Sequence, residues 1–529
     1  MFRKTPTYKQ LDLQTAVSQH FSGITYQLFS DSQAWHNQFF KQITQKIDET
    51  MFSELFSQDM GAPNASIRQL MAMMILKEGH GWSDEQLFEN CRFNLLVRKS
   101  LGLYDLKEAT PSESTYYLLR KHILEYKKKS NVDLFEKLFQ SITKEQIAEF
   151  NVSGKSVRMD SKLIGSNIAS YSRYELIHKT LCLYLKYNET EVLSLLTPAE
   201  QAQLKVFLFE DSSKTIYRST RDEIQNKLKE LGILIFKIIQ LKINEKNDNF
   251  RILQQVFSEQ FNLQDNQQVS VKVKEELSAQ NVQSPHDTEC TYRKKNNEST
   301  KGYSHNLTET CDDEGLKLIT DIQTQPASFA DNNFMEKGIE NTQNLVQEKI
   351  ENIHADGAYN SLENQENAKK NHENLYLTGF QGTEGRYDLS TLAEKLQITD
   401  KQTGEILTAV ATKGDKYRIN TAKGYRYFTE KEIEKFHVRK QIEQLPQSIK
   451  NKRNNVEATI YQLAYYLRKD KTRYRGKFQN TSWAKCRCLW INFVRIENYC
   501  REIQGEVTNA VKYYLHLLVL NFLNFKFQN

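Results

Sequence analysis

Residues 154–161 read Gly-Lys-Ser-Val-Arg-Met-Asp-Ser, and here the pattern of the chain changes from helical to β-type. The β-type run ends at Asp160, where small and turn-forming residues follow. A carboxylate in that context emerges at a strand end, beside a backbone that is able to bend sharply. The stretch therefore predicts a sheet strand with an acidic side chain at its end.

A second acidic residue has the same local context, and a third lies on a helix. Asp356 follows a short β-type run in Ile-His-Ala-Asp-Gly-Ala-Tyr, residues 353–359. Glu457 immediately follows the first residue of an apolar stripe that has helical spacing. The stripe consists of Val456, Ile460, Leu463 and Leu467. We expect Glu457 at the edge of the buried helix face, which it shares with Arg453 four residues earlier.

Three carboxylates from separate elements suit Mg²⁺, a hard cation that takes oxygen ligands and usually keeps several waters. Two such ions can hold the attacking and leaving oxygens of an in-line phosphoryl transfer. Spacing alone is weak support, because a chain with 66 acidic residues offers many such trios. Surface carboxylates and an ordinary Arg453–Glu457 ion pair on a helix face are the alternative.

Length and composition bound the class of protein. A chain of 529 residues is long enough for two to four domains or large insertions. Seven scattered cysteines argue against a disulfide framework and favour a reducing compartment. The N-terminal residues lack an apolar signal region, so we expect a cytoplasmic protein with no membrane partner. Polar residues interrupt the apolar stretch 513–525, which favours a packing helix there over a membrane span.

A basic segment surrounds Glu457, although the net charge of the whole chain is only +6. Its cations are Lys450, Lys452, Arg453, Arg468, Lys469, Lys471, Arg473, Arg475 and Lys477. A local positive field of this kind fits a polyanion held near the carboxylates. A solvated helix end is the other interpretation of the same charges.

The order of elements predicts an α/β protein. Residues 1–150 are helical in pattern, and a helical insertion at about 172–262 interrupts the sheet. Two strands then flank a hairpin turn at Asp312-Asp313-Glu314-Gly315. A β-like insertion at about 385–427 and C-terminal helices at 430–529 complete the catalytic region, residues 151–529. Helical crossovers between strands imply a mixed sheet with helices on its faces.

The chain resembles DDE-type bacterial insertion-sequence transposases, and within the insertion-sequence-five-like superfamily it is most similar to the eleven-eighty-two group. The resemblance runs over nearly the whole length and depends on an ordered series of short motifs. These are Ser66-Ile67-Arg68-Gln69-Leu70, Trp82-Ser83-Asp84-Glu85, Ser114-Thr115-Tyr116-Tyr117, Arg158-Met159-Asp160-Ser161, Ser284-Pro285-His286-Asp287, Lys301-Gly302-Tyr303, Asp356-Gly357-Ala358-Tyr359, Asn455-Val456-Glu457-Ala458 and Arg473-Tyr474-Arg475-Gly476.

The resemblance implies a ribonuclease-H-like core with insertions, preceded by an all-helical DNA-binding domain at 1–150. It implies Mg²⁺-dependent cutting and joining of DNA at element ends, with Mn²⁺ as the substitute ion. Asp160, Asp356 and Glu457 carry over as catalytic metal ligands. The implied partners are double-stranded DNA, as terminal inverted repeats and target, and a second copy of the chain in a homodimer on DNA. The implied location is the cytoplasm of a prokaryote, at the nucleoid when DNA is bound.

Two departures from the family pattern concern the region of the third acid. Relatives often precede the Arg-x-x-x-Glu motif with Tyr and follow it with Lys, whereas Lys450 and Ala464 occupy those positions here. The roles of that Tyr and Lys are therefore unassigned in this chain. Many relatives also carry a cysteine-rich stretch before the last helix, and residues 385–450 contain no cysteine.

Further residues have a predicted role in holding DNA. Arg453 would contact a phosphate or orient Glu457, and a structural ion pair is its alternative role. Arg473, Tyr474 and Arg475, followed by Lys477, interleave an aromatic ring with cations, a pattern suited to gripping phosphates and stacking on an unpaired base. Packing of Tyr474 in a core is the competing interpretation.

Two other residues near Asp356 are interpreted without a catalytic role. His354 is expected to be a strand residue and not a metal ligand. Tyr359 is rejected as a covalent nucleophile, because the basic tetrad of tyrosine recombinases is not visible.

Two alternative functions remain open from the sequence. The chain could be a decayed or domesticated transposase derivative that binds DNA without cutting it, although all three acids are present. It could also be a stand-alone ribonuclease-H-like nuclease that acts without recognising element ends.

Overall fold

The N-terminal region is helical, as the sequence predicts. The computed structural model describes residues 1–6, 14–264, 267–295, 297–379, 386–392, 395–412, 416–421 and 424–526. Its first helices are α1 Gly23–Ser30, α2 Trp35–Phe39, α3 Ile67–His80, α4 Asp84–Phe93, α5 Leu95–Ser100, α6 Glu113–Ser130 and α7 Leu134–Phe150. Short 3₁₀ or π turns occupy Val17–His20, Phe40–Thr44 and Glu49–Leu55. Ser83 and Ser112 cap α4 and α6 through side-chain oxygens that accept backbone amide hydrogens.

The strands of the described residues form one larger sheet and three small ones. In chain order they are β1 Ser156–Gly165, β2 Phe261–Leu263, β3 Val269–Val271, β4 Thr291–Lys295, β5 Glu298–Thr310, β6 Ile319–Pro326, β7 Asn352–Ala355, β8 Asn374–Leu377, β9 Tyr387–Leu392, β10 Lys395–Asp400, β11 Ile406–Thr408, β12 Val410–Thr412, β13 Lys416–Thr421 and β14 Gly424–Thr429. The remaining helices are α8 Arg173–Leu185, α9 Glu189–Leu195, α10 Pro198–Phe209, α11 Ser212–Arg218, α12 Arg221–Gln240, α13 Asp248–Gln260, α14 Met335–Val346, α15 Leu362–Asn371, α16 Glu430–Gln444, α17 Gln447–Ala464 and α18 Lys477–Lys526. Further 3₁₀ turns lie at Lys274–Glu276, Asp331–Phe334 and Gly357–Tyr359.

The larger sheet is mixed. Its order is β5, β1, β7, β8, with β4 and β6 both pairing with β5 on the side away from β1. The pairs β1–β5, β4–β5 and β5–β6 are antiparallel, whereas β1–β7 and β7–β8 are parallel. The hairpin predicted at residues 312–315 joins β5 to β6, and Gly315 supplies the left-handed backbone conformation there, with φ of 82°. The expected mixed sheet is therefore confirmed.

One detail of the first strand differs from the prediction. Strand β1 does not end at Asp160 but continues for five residues to Gly165. Its antiparallel partner β5 pairs along this whole length, and this pairing keeps the backbone extended past Asp160. On the other side, β7 pairs only with Ser156, Val157 and Arg158. Asp160 therefore lies within a strand but beyond the end of its parallel neighbour.

The insertions have cores of their own. Helices α8–α13 occupy the stretch expected to interrupt the sheet and pack around a separate apolar cluster that includes Leu181 and Leu231. Strands β9–β14 form two three-stranded sheets around Ile398 and Phe428, in the segment expected to be β-like. Residues 380–385, 393–394, 413–415 and 422–423 of that segment lie outside the described residues.

A single apolar core joins the N-terminal helices to the larger sheet and to helices α17 and α18. It includes Met71 and Ile75 of α3, Leu307 of β5, Leu463 of α17 and Leu489 of α18. Helices α3 and α18 approach so closely that a Cβ at residue 79, a glycine here, would overlap the ring of Trp490. The helical region thus packs directly against the elements that carry the candidate site.

None of the described helices is long and apolar enough to span a membrane. The apolar stretch 513–525 continues the backbone of α18, and its side chains lie outside the described residues.

Candidate active site

The two aspartates lie side by side because their strands are parallel and in register. Arg158 of β1 pairs with His354 of β7, so two residues later Asp160, still within β1, lies beside Asp356, the first residue after β7. Residues two apart on a strand share a face of the sheet. Asp160 Oδ1 accepts the Ser161 amide at 2.8 Å, and Asp356 Oδ1 accepts the Gly357 amide at 2.6 Å. Each aspartate thus has one oxygen held by the next residue and the Oδ2 oxygen left for another partner.

That partner is the guanidinium of Arg453 on α17. Its Nη2 lies 3.0 Å from Asp160 Oδ2 and 4.0 Å from Asp356 Oδ2, while its Nη1 lies 2.5 Å from Glu457 Oε1. The side chain of Arg453 is 13% exposed and that of Glu457 is 61% exposed. One cation therefore bridges all three predicted acids, and Glu457 lies on the solvent side of the cluster.

The amphipathic pattern of α17 positions Arg453 and Glu457, because its apolar side chains fix which face of the helix packs on the core. Val456 and Leu463 are buried, and Ile460 packs against the same core. Leu467, the last member of the predicted stripe, packs against that core beyond the end of α17. Glu457 is adjacent to this buried face and remains accessible to solvent, and Arg453 connects its carboxylate to Asp160.

The acids outnumber the cation in this cluster. Formal charges of −3 from Asp160, Asp356 and Glu457 and +1 from Arg453 sum to −2. Burial raises the pKa of Asp160, and the Arg453 guanidinium opposes that shift, while the charge of Asp356 adds to it. The surplus of negative charge is a feature that a divalent cation would neutralise.

The donor set fits Mg²⁺ in kind, although a cation already lies among the carboxylates. Two Oδ2 atoms from adjacent strand ends face one point, and hard oxygen ligands are what Mg²⁺ prefers. Within the part of the chain that the structure describes, no three His, Cys, Asp or Glu side chains are arranged closely enough to hold an ion. An ion at the aspartate pair would therefore take the place now held by the guanidinium.

A second acid–arginine cluster lies on the buried face of α17. Glu309 of β5 is fully buried and accepts from Arg158 Nε at 2.5 Å, from Arg495 Nη1 at 2.7 Å and from Thr459 Oγ1 at 2.9 Å. Arg158 also donates to the carbonyl of Lys452 at 3.0 Å. These bonds fix α17 against the sheet at Lys452, five residues before Glu457, and at Thr459, two residues after it. The sequence offered no local signal for Glu309 or Thr459, whereas Arg158 was quoted in a motif without a role.

Asp287 explains why several of the quoted motifs occur together. Its buried carboxylate accepts from the Ser166 hydroxyl, from the Tyr303 hydroxyl at 2.6 Å and from the Gly476 amide at 2.8 Å. Asp287, Tyr303 and Gly476 belong to three of the quoted motifs, and Ser166 follows the last residue of β1. Asp287 therefore holds the loop that precedes α18 against the end of β1, a structural role that the sequence did not assign.

The residues predicted to hold DNA in that loop have partners within the protein. Arg473 donates to the carbonyls of Trp82 and Gly81 at 2.8 and 3.1 Å. Arg475 donates to the Asn167 carbonyl and Lys477 to Gln325, both at 2.7 Å. A DNA-binding role for these cations stays a prediction.

Tyr474 is a packing residue in this structure. Its hydroxyl bonds Glu78, and Lys77 and Arg120 lie 5.4 and 5.3 Å from its ring centroid. Burial raises the pKa of Tyr474 well above its usual range. The structure therefore favours the packing alternative for Tyr474, since the N-terminal helices cover a ring that was expected to stack on a base.

Of the other two residues near Asp356, His354 lies in a strand, as expected, and Tyr359 is a core residue. His354 is buried in β7 and stacks on Tyr376, and burial lowers its pKa to about 4. The Tyr359 hydroxyl donates to Asn306 at 2.5 Å within the core.

A basic cleft of about 760 Å³ begins next to Asp160 and runs along the second half of β1. Its lysines are Lys162, Lys295, Lys301, Lys469 and Lys471. Asp470 pairs with Lys162 at 3.0 Å, while Lys295 and Lys469 are exposed and form no ion pair within the described residues. We call this the lysine cleft. Of its cations, Lys469 and Lys471 belong to the predicted basic segment, and Lys301 was quoted in a motif without a role.

Comparison with known proteins identifies part of the chain. Residues 27–122 match the family model described as Transposase domain (DUF772). No curated protein and no solved structure matches the chain significantly. The matched segment runs from α1 to α6, the helical region that packs against α17 and α18. A transposase domain is thus present in the N-terminal region, and the finer eleven-eighty-two assignment stays a resemblance.

Proposed function

We propose that the protein is a DDE-type DNA transposase that cleaves and joins DNA strands at element ends. The observation that carries the proposal is the meeting of Asp160, Asp356 and Glu457 at one arginine, in a chain that also contains a transposase domain. These acids come from two strands and a helix that are far apart in sequence. Their convergence is not expected of unrelated surface carboxylates.

The sheet supports the same proposal. Three antiparallel pairings on one side of β1 and parallel pairings on the other are the arrangement expected of a ribonuclease-H-like core. The helix α17 then brings a third acid across the sheet edge. The order of elements, strand, hairpin, helix, strand and late helix, agrees with this proposal.

Asp160 and Asp356 would hold Mg²⁺ through their Oδ2 atoms, with Glu457 completing the shell. When bound, the ion lowers the pKa of the attacking hydroxyl and neutralises charge on the scissile phosphate. Ser161 and Gly357 amides keep each aspartate oriented. Arg453, released from the carboxylates, is positioned to contact a phosphate oxygen.

DNA is the substrate that the surroundings favour. The lysine cleft opens beside Asp160, so a strand whose phosphate lies at the acids can continue along a surface of cations. Element ends and target DNA, bound by two copies of the chain, are the assembly that we propose.

A plasmid-nicking assay tests the proposal. Supercoiled DNA that carries the element ends is incubated with Mg²⁺ and the native protein, with Asp160→Asn or with Asp356→Asn. We expect nicked and joined products from the native protein only, while both variants retain DNA binding. Asp248→Asn, a change at an exposed acid of α13, is the matched control and should behave as native.

The outcomes separate the alternatives. Binding without metal-dependent cleavage in the native protein would indicate a decayed transposase. Cleavage without any preference for element ends would indicate a nuclease. Cleavage that persists in Asp160→Asn or Asp356→Asn would remove that residue from the site.

A further inference from the structure

The face of α17 that carries Glu457 continues with two exposed aromatic residues. Tyr461 and Tyr465 follow Glu457 at intervals of four, so the three side chains share one helix face. Tyr461 is 66% exposed and Tyr465 is 58% exposed, and their ring centroids lie 5.7 Å apart in an edge-to-face arrangement. Neither phenol hydroxyl makes a hydrogen bond within the described part of the chain.

Two neighbouring tyrosines show the contrast. Tyr466 covers Gly81 and lies 4.9 Å from the Arg487 guanidinium, and Tyr474 bonds Glu78. Both rings therefore connect the C-terminal elements to the N-terminal helices. Packing against the N-terminal helices accounts for Tyr466 and Tyr474. Tyr465 meets the Tyr466 ring edge-to-face at 5.0 Å, yet most of the Tyr461 and Tyr465 side chains remains in solvent beside Glu457.

The charges around the pair indicate what would cover it. Arg468 and Lys469 follow the pair and are exposed, and Lys469 also lines the lysine cleft. The aromatic pair thus lies on the segment that joins the acid cluster to a row of cations. Aromatic rings beside cations are the surface that single-stranded nucleic acid binds, through base stacking and phosphate contacts.

We propose that Tyr461 and Tyr465 form a stacking site for unpaired bases of the DNA strand whose scissile phosphate lies at the acid cluster. This proposal rests on the proposed function, in that it takes DNA as the substrate. A helix rises 1.5 Å per residue, which places the two rings roughly 6 and 12 Å along the axis from Glu457. At about 3.4 Å per base step, these rings lie within a few nucleotides of the reacting phosphate.

Such a stacking site would hold bases that become unpaired when the strand is cleaved. A base that leaves the duplex near the cut loses its stacking and pairing partners. Stacking on an aromatic side chain offsets part of that loss without reading the identity of the base. Tyr461 and Tyr465 would therefore hold the opened end in place while leaving the end sequence to be recognised elsewhere.

Binding measurements in buffer without divalent metal test the proposal separately from catalysis. The probe is an oligonucleotide duplex with an element end and a short unpaired tail that contains 2-aminopurine. We expect the native protein to quench 2-aminopurine, as stacking does. Tyr461→Ala and Tyr465→Ala should each weaken binding of the tailed DNA about tenfold, with less than about twofold change for the blunt duplex.

Matched variants guard against indirect effects. Tyr461→Phe and Tyr465→Phe keep the ring and should retain both affinity and quenching, whereas Tyr461→Leu should not. Tyr217→Ala removes a tyrosine that is 91% exposed on α11 and should have no effect. Since all these positions are exposed, the variants are expected to fold, and circular dichroism checks this.

The possible results distinguish the two proposals. Native-like quenching and affinity in both alanine variants, from a protein that still nicks DNA with Mg²⁺, would overturn the stacking site alone. Failure of the native protein to bind any DNA would overturn both. Loss of tail binding in the alanine variants, with quenching retained in Glu457→Gln, would support stacking irrespective of whether cleavage is observed.

Discussion

An acid–arginine cluster lies against each of two faces of helix α17, and the two clusters differ in burial and in formal charge. On the buried face, one carboxylate, Glu309, lies between Arg158 and Arg495 with no exposure to solvent. On the other face, one arginine, Arg453, is shared by three carboxylates, and Glu457 is 61% exposed. The formal charge is +1 in the buried cluster and −2 in the exposed cluster.

These differences in burial and charge indicate a structural ion network around Glu309 and a candidate catalytic cluster around Arg453. A buried charge must be fully paired, because removing one partner leaves a desolvated charge behind. Glu309 meets that condition through two arginines and Thr459. The cluster around Arg453 has more carboxylate oxygens than its one cation can pair, and this surplus is what the proposed divalent ion would neutralise. Changes in the two clusters should therefore affect different properties of the protein.

The largest effect is expected from Glu457→Gln, and it should fall on activity alone. Loss of one metal ligand should lower the rate of Mg²⁺-dependent nicking roughly a thousand-fold, equivalent to about 4 kcal/mol of activation free energy. The free energy of unfolding should change by less than about 0.5 kcal/mol, because the side chain is exposed. Rates from a nicking time course and urea unfolding give the two values, and an undiminished rate would contradict a role for Glu457.

The next largest effect is expected in the buried cluster, where a substitution should lower the stability of the fold. Glu309→Gln keeps the shape of the side chain but leaves Arg158 and Arg495 facing each other without a counter-ion. We expect the free energy of unfolding to fall by about 3 kcal/mol, measured by urea denaturation. Equal unfolding free energies in native protein and variant would show that the buried network does not stabilise the fold.

A smaller effect is expected when Mg²⁺ is added to variants of Arg453 and Arg495, and the measured quantity is the stability that the ion restores. Arg453→Gln leaves three carboxylates without a cation, so saturating Mg²⁺ should restore about 1–2 kcal/mol of stability, more than it adds to the native protein. Arg495→Gln should gain nothing from Mg²⁺, because Glu309 is inaccessible. Thermal unfolding with and without Mg²⁺ measures both, and identical responses of the two variants would remove the distinction between the clusters.

The smallest effect concerns cations near the exposed cluster. Lys295 and Lys469 form no ion pair within the described residues, so Lys→Gln changes should leave folding unaltered. Each should lower the slope of log affinity for DNA against log salt by roughly 1. Fluorescence anisotropy over a salt series checks this, with the exposed Lys229→Gln of α12 as control. An unchanged slope would exclude the lysine cleft from the DNA path.

Local patterns were enough to predict the parts of the site that depend on neighbouring residues. The acids at Asp160 and Asp356 follow β-type runs, and the stripe around Glu457 has helical spacing, so each could be placed on its element. The hairpin at residues 312–315 was likewise predictable from its turn residues. These features are set within about ten residues of sequence.

The features that could not be predicted depend on partners that are distant in the chain. Strand β1 extends to Gly165 because Gly302 and its neighbours in β5 pair with it. Tyr474 is covered because Glu78 and Lys77 of α3 lie against it. Glu309 lies in the part of β5, residues 302–310, where every residue is buried, so no alternation of polar and apolar residues marks its face. Nothing local distinguishes such a residue from an exposed one.

Iron-mediated affinity cleavage tests the metal site most directly. Fe²⁺ replaces Mg²⁺, and ascorbate with peroxide generates radicals that cut the backbone close to the bound ion. The account predicts cuts near residues 160, 356 and 457 of the native protein, which excess Mg²⁺ suppresses and Asp160→Asn abolishes. Cuts at other positions, or cuts at these positions that persist in Asp160→Asn, would contradict a shared metal site.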